Sequence, residues 1–407
     1  MNNMRLDLWK EENEIKVKAL IDLEEMPEDH LSFHLGSDYH IQKIVDSTGK
    51  SLEYSKIEQI TGRTPYLADR IKYKVSDLKD KQIRIFYAGF TKAQHTMLTN
   101  DILSINGAGY WYPSYLSFRS EPWNKEVFIH LEKDYLVLNS CFVNEENAWH
   151  YRPQEGELFV IALKNYRHKS SGSGIIYYYF AEDDQKAETC VGSVGKLISY
   201  FEELYGYRTI SQMPIVSLPI DLNAGAYNID RTIVLNRFVY DYEETGSIPY
   251  EQLIYMMGHE IAHNWCCGAD HDWEDWLNET TAEWSSFSFL IENGYDGFVA
   301  DLVKLYCDNE IPELIRTTDG SHPQQVHIKG TLLFYIVYQK YGLTPIKDFL
   351  KAFVKLKEKN TENWITALSE KYPHIMPDVI AGLEVELIRD KLAGGEIVDC
   401  RSDKIPD

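Results

Sequence analysis

The sequence has no apolar run near the roughly eighteen residues needed to cross a bilayer. Its longest such run, Leu332 to Tyr338, suits a buried helix. Its N-terminal stretch, MNNMRLDLWKEENEI, is charged where an export signal needs an apolar segment, so the expected location is the cytoplasm, without membrane insertion. Positive charge is scarce: 41 Lys and Arg against 63 Asp and Glu leave a net charge of -22. That argues against nucleic acid as a partner, because phosphate contacts draw on Lys and Arg. An acidic surface could attract cationic peptides, but it also serves solubility alone. Paired cysteine motifs are missing as well. Cys141, Cys190, Cys266, Cys267, Cys307 and Cys400 form no CxxC and no small-scaffold spacing, which suits reduced thiols. There is no internal repeat and no low-complexity tract.

The 407 residues, 44% of them hydrophobic, allow two or three globular domains, each with its own core. The first 180 or so positions read as β-structure. Ile83–Phe90, Glu126–Glu132, Glu157–Tyr166 and Gly174–Ala181 are short and rich in β-branched and aromatic residues, with turn-type stretches such as DSTGK (Asp46–Lys50) and SSGSG (Ser170–Gly174) between them. Beyond about Ala181 the character changes. Lys186–Tyr205 has helical spacing, and Val216–Ile220 and Ile229–Asn236 read as strands. From Ser247 the chain reads as helical. One helix runs from a Ser247 cap, with Pro249 in its first turn, through Trp265. A second covers Asn278–Asn293, a third opens at Thr344–Pro345, and a late amphipathic one spans Pro377–Ala393. The expected domains are therefore 1–185, all-β, and 186–407, mixed and then helical.

The chemistry concentrates in YMMGHEIAHNW. His259 and His263 are four apart, so on a helix both imidazoles face one ion. Glu260, one residue past the first, can take a proton from a water on that ion. Zinc lowers the pKa of such a water to about 7 and polarises a carbonyl as a Lewis acid. A catalytic site needs a third protein ligand and an open position. The metzincin pattern fails, because Cys266 and Ala269 stand where it needs Gly and His. Asp270 and Asp272 are oxygen donors in an expected loop. Glu279 in DWLNETTAEW is the better candidate, since it opens the next helix with fifteen residues between it and His263. Glu283, one turn on, could orient a ligand imidazole or simply face solvent. Cys266 and Cys267 are read as buried or bystander thiols rather than ligands.

HEIAHNW followed by DWLNETTAEW resembles the aminopeptidase N family of gluzincin zinc peptidases, whose relatives include the leukotriene hydrolase. His327–Gly342 is similar to that family's YEKG helix, and Tyr110–Tyr115 to the Tyr/Phe-Pro stretch of its β domain. The resemblance is carried mainly by residues 215–345. It implies an α+β multidomain fold, with a saddle-like β domain followed by a thermolysin-like catalytic domain. It also implies one zinc held by His259, His263 and Glu279, with Glu260 as base and a peptide as substrate.

Four departures qualify that. The loop before the third ligand is shorter than the family's. Gly225, Ala226, Tyr227 and Asn228 stand where the family's exopeptidase motif holds the substrate's amino group, and Asn228 replaces its glutamate. A neutral hydrogen bond is about half as strong as a charged one, so selection for a free N-terminus should weaken. His327 replaces the family's oxyanion-binding tyrosine. It can donate the same bond, worth about 3 kcal/mol of barrier, or merely pack at a helix start. The family's large C-terminal helical domain is not expected, which implies a more open cleft. The leading expectation is a peptidase acting by zinc-activated water, tilted slightly towards aminopeptidase. The alternatives are an endopeptidase or processing enzyme, a silent zinc-holding binding module, and a hydrolase of epoxides or esters.

Overall fold

The computed structural model describes residues 2–25, 30–62, 68–76, 78, 80–93, 96–114, 124–153, 158–171, 174–181, 184–206, 213–219, 226–229, 231–236, 250–307 and 326–384. Its N-terminal part is built from sheets, several of whose strands alternate inward and outward residues. Ile15–Asp22 is typical: Ile15, Val17, Ala19 and Ile21 face inwards, and the residues between them face out. A seven-stranded sheet runs in the order Ser140–Val143, Ala148–Tyr151, Asn124–His130, Asn3–Lys10, Ile15–Asp22, Gln82–Gly89, His40–Asp46. Its one parallel pair joins Asn3–Lys10 to Asn124–His130. Smaller sheets of three and four strands complete this half. The turn expected at Asp46–Lys50 is closed by Asp46, whose carboxylate accepts from the Thr48 and Lys50 amides, with Gly49 at φ 87°.

A five-stranded sheet runs Arg167–Ser170, Ile175–Tyr179, Met213–Leu218, Thr232–Asn236, Ala226–Ile229. Strands from both sides of residue 185 therefore share it. The period of two sends its side chains into two cores. Ile175, Tyr177, Ile215, Ile233 and Leu235 pack with the helices, whereas Val216, Leu218 and Val234 pack with the N-terminal strands. The stretch 229–236 is not one strand. Arg231 has a left-handed φ of 63°, and the chain reverses into an antiparallel hairpin with Ile229 opposite Thr232.

Eight helices follow among the described residues: α1 Asp184–Tyr205, α2 Tyr250–Ala262, α3 Asp275–Glu292, α4 Asp296–Cys307, α5 Val326–Tyr341, α6 Leu343–Lys355, α7 Thr361–Ser369 and α8 Met376–Glu384. The expected Ser247 cap lies outside the described residues, and α2 ends before Trp265. The next helix starts at Asp275, three residues before the expected Asn278. Helix α1 buries Ala187, Cys190, Val194, Leu197, Phe201 and Leu204, a stripe at spacings of three and four.

Helix α3 is the hub, buried from Asp275 to Leu290 apart from Asn278 and Glu279. Such a helix must satisfy its own polar groups. Thr281, Ser285 and Ser288 do so by donating to carbonyls four residues back, at 2.5–2.6 Å. Its small side chains also let neighbours come close. A Cβ on Gly258 of α2 would lie 2.5 Å from Ser286 Oγ, and one on Gly330 of α5 would lie 2.0 Å from Thr280 Oγ1. Ser286 cannot swing aside freely, since its hydroxyl donates to the Tyr255 carbonyl. Gly258→Ala is therefore expected to cost about 1–3 kcal/mol by overpacking, read from denaturant midpoints. A wild-type midpoint would show that α2 and α3 are not in this contact.

Candidate metal centre

The end of α2 and the first turns of α3 lie side by side, which brings residues from two sequence segments together. His259 Nε2 lies 3.1 Å from His263 Nε2, and Glu279 Oε2 lies 3.2 Å from the first and 3.5 Å from the second. Tetrahedral zinc with bonds of about 2.0–2.1 Å spaces neighbouring ligand atoms about 3.3 Å apart. The observed triangle has that size, and its donors are two imidazoles and a carboxylate, a set zinc accepts. The residues present fit the ion.

Each imidazole is oriented by its other nitrogen. His259 Nδ1 lies 2.8 Å from Glu283 Oε2, and His263 Nδ1 lies 3.2 Å from the Cys266 carbonyl. Glu283 is fully buried, and its Oε1 accepts from Tyr255 at 2.8 Å and from Tyr306 of α4 at 2.5 Å. His259, Glu283 and His327 also lie close enough to form a second donor group. Glu283, however, is already committed on both oxygens. Tyr255 sits one turn before His259, a spacing readable from the sequence. Nothing in the sequence signals Tyr306, which arrives from another helix. Tyr306→Phe is expected to weaken metal binding about tenfold, the low end for loss of an outer partner, with Tyr255 still in place. Competition with a chromophoric chelator reads this directly.

Electrostatics follow from burial against charge. Burial pushes the Glu260 carboxyl above its usual range and Glu279 adds to this, although the charges of His259 and His263 oppose it. Burial acts the same way on Glu279, but there His263, His327 and His259 win and hold the carboxyl well below the usual range. On His259 burial works to lower the pKa, and the bonds to Glu279 and Glu283 outweigh it, raising it well above the ordinary value.

The other candidates are dispersed. His327, in the first turn of α5, is half exposed, with Nδ1 3.4 Å from Glu279 Oε2. Gly225 lies outside the described residues. Ala226 and Tyr227 lie on the edge strand of the five-stranded sheet, and Asn228 beside them donates its side-chain amide to the Glu260 carbonyl at 2.7 Å. Asp270, weighed above as an oxygen donor, is engaged elsewhere. Its carboxylate accepts from the Lys359 amide and the Asn360 side chain, each at 3.1 Å, and this pins the loop between α2 and α3. Cys266 is buried beside Tyr205 and Ser285, while Cys267 is exposed.

No family model and no curated protein sequence matches the chain. Solved structures do. A zinc metallopeptidase of the M1 class from Deinococcus radiodurans superposes with a TM-score of 0.62 at 13% identity, covering 94% of this chain and 93% of that one. A complex of a mutant of that protein with a Tyr-Ser-Ala substrate gives 0.59 at 12% identity and the same coverage. Native leukotriene A4 hydrolase from Saccharomyces cerevisiae gives 0.59 at 14%, covering 100% of this chain and 68% of that one. The fold is therefore that of the M1 zinc metallopeptidases. No described helix is long and apolar enough to cross a membrane.

Proposed function

We propose that this chain is a zinc metallopeptidase that hydrolyses peptide bonds with a zinc-activated water. The observation that carries this reading is the His259, His263, Glu279 triangle with the buried Glu260 carboxylate next in sequence to one of its corners. Those three side chains would hold one zinc per chain, which would supply Lewis acidity there. Glu260 takes the proton of the attacking water and returns it to the leaving amine. A carboxylate whose pKa burial has raised is a better base for that transfer. Glu283 holds the His259 ring with Nε2 towards the ion. His327, on the exposed side of Glu279, donates to the developing oxyanion. The peptide lies as an added strand along Ala226 and Tyr227.

The tripeptide substrate of the Deinococcus neighbour and the shared fold support an aminopeptidase-like action. A second reading, internal cleavage, is favoured by Asn228. The described edge strand, Ala226–Ile229, has no carboxylate to pair with a substrate ammonium, and the Asn228 amide is turned to the Glu260 carbonyl.

Cleavage of a mixed peptide library by the zinc-loaded protein, read by mass spectrometry with Glu260→Gln as control, tests both. Single-residue shortening from the N-terminus supports the aminopeptidase reading, and internal cuts support the second. Wild type and control giving identical products, with zinc bound, would leave a silent binding module.

A further inference from the structure

Helix α2 ends just past Glu260, so its last carbonyls need donors from outside the helix. Three find them in the following turn. The His259 carbonyl accepts from the His263 amide at 3.3 Å, Ile261 from Asn264 at 3.1 Å, and Ala262 from Trp265 and Cys266 at 2.9 and 2.8 Å. In a continuing helix Asn264 would donate to Glu260, but here its amide is spent on Ile261. The Glu260 carbonyl takes the Asn228 side chain instead, at 2.7 Å. The chemistry fixes which way that amide points, since its oxygen at this distance would face another oxygen.

The donor belongs to a hairpin held from a second side. Asn228 pairs with Ile233 across it, and Thr232, fully buried, accepts from Asn139 of the N-terminal half at 3.0 Å. The hairpin thus bridges the β half and the end of the helix that carries His259, Glu260 and His263.

We infer that Asn228 is a positioning residue: it fixes the backbone of the catalytic base Glu260 to the edge strand, so that base and bound peptide keep one register. This rests on the peptidase reading for its catalytic meaning, but the contact can be tested without peptide cleavage. It holds for terminal and internal cleavage alike, because the contact is with the enzyme's own carbonyl.

Asn228→Asp keeps the shape and replaces the donor with an acceptor. In zinc-loaded protein it is expected to lower kcat by about 10- to 100-fold, as for a base displaced by a fraction of an ångström to an ångström, with KM changed less than about threefold. Zinc affinity, thermal midpoint and the visible spectrum of the cobalt-substituted protein should stay near wild type. Asn228→Gln, which keeps the amide on a longer arm, should recover part of the loss. Acetohydroxamate, which has no peptide backbone to pair with the edge strand, reports the metal and Glu260. Its affinity for Asn228→Asp should fall by about the same factor as that of a peptide hydroxamate, at least several-fold.

Acetohydroxamate binding equal to wild type would overturn the inference, and a loss confined to the peptide hydroxamate would reassign Asn228 to substrate contact. Zinc affinity, cobalt spectrum and midpoint collapsing together would reduce it to a structural cap. A wild-type protein that binds acetohydroxamate but cleaves no peptide would defeat the peptidase reading, with the positioning role still judged by the affinity ratio.

Discussion

Glu260→Gln is expected to lower peptide hydrolysis by about 10²- to 10⁴-fold while leaving zinc bound. The amide has the shape of the carboxylate but cannot take a proton from water. The three candidate metal donors, His259, His263 and Glu279, are untouched by the change. Turnover against metal content separates the two functions, and equal turnover in both proteins would remove Glu260 from the chemistry. The same variant should be more stable than wild type when metal-free at neutral pH. Burial raises the Glu260 pKa in the folded state. A carboxyl with a raised folded pKa favours the fold below its unfolded value, near 4.5, and that contribution is lost as pH rises through the folded value. Glutamine carries no such charge. The gap in melting temperature should therefore be widest above the folded pKa and should close as pH falls towards 4.5.

Glu279→Ala is expected to weaken zinc binding by more than about 100-fold, beyond the 10- to 100-fold typical of an outer partner. It leaves two imidazoles, and the fixed negative charge that three nearby histidines hold in place disappears with it. Glu283→Ala should fall within the outer-partner range, because Glu283 touches His259 through Nδ1, the nitrogen pointing away from the triangle. The order of the two effects is the test. If Glu283→Ala costs more than Glu279→Ala, the ion sits on His259, Glu283 and His327 instead.

Much of the centre was legible in the sequence because its geometry is local. Four residues make one helical turn, so His259 and His263 had to share a face once the segment was helical. Glu279 and Glu283 repeat that spacing on the next helix. The two helices' contact surfaces were less legible. Gly258 and Gly330 carry no marker of their partners, yet both sit where any side chain would strike α3. The single strand expected over Ile229–Asn236 failed for a related reason. Most of its residues suit a strand, and among the described residues it is the left-handed backbone at Arg231 that marks the turn into a hairpin.

The sequence by itself determined the candidate set: two imidazoles four apart, carboxylates at helical intervals, and Glu260 adjacent to His259, all set by the 3.6-residue turn. It also determined the alternating strands of the first half and the stripe of α1, since those follow from periods of 2 and 3.6. Tertiary structure alone decided what holds the donors in place. Tyr306 meets Glu283 across 23 positions, Asn228 meets Glu260 across 32, and Asp270 meets Asn360 across 90. The first two satisfy a buried carboxylate and a helix-end carbonyl, the third ties an exposed loop, and any of several polar residues could have served in each. The partner is fixed by which helices and strands pack together, so it could be read only after the fold was known.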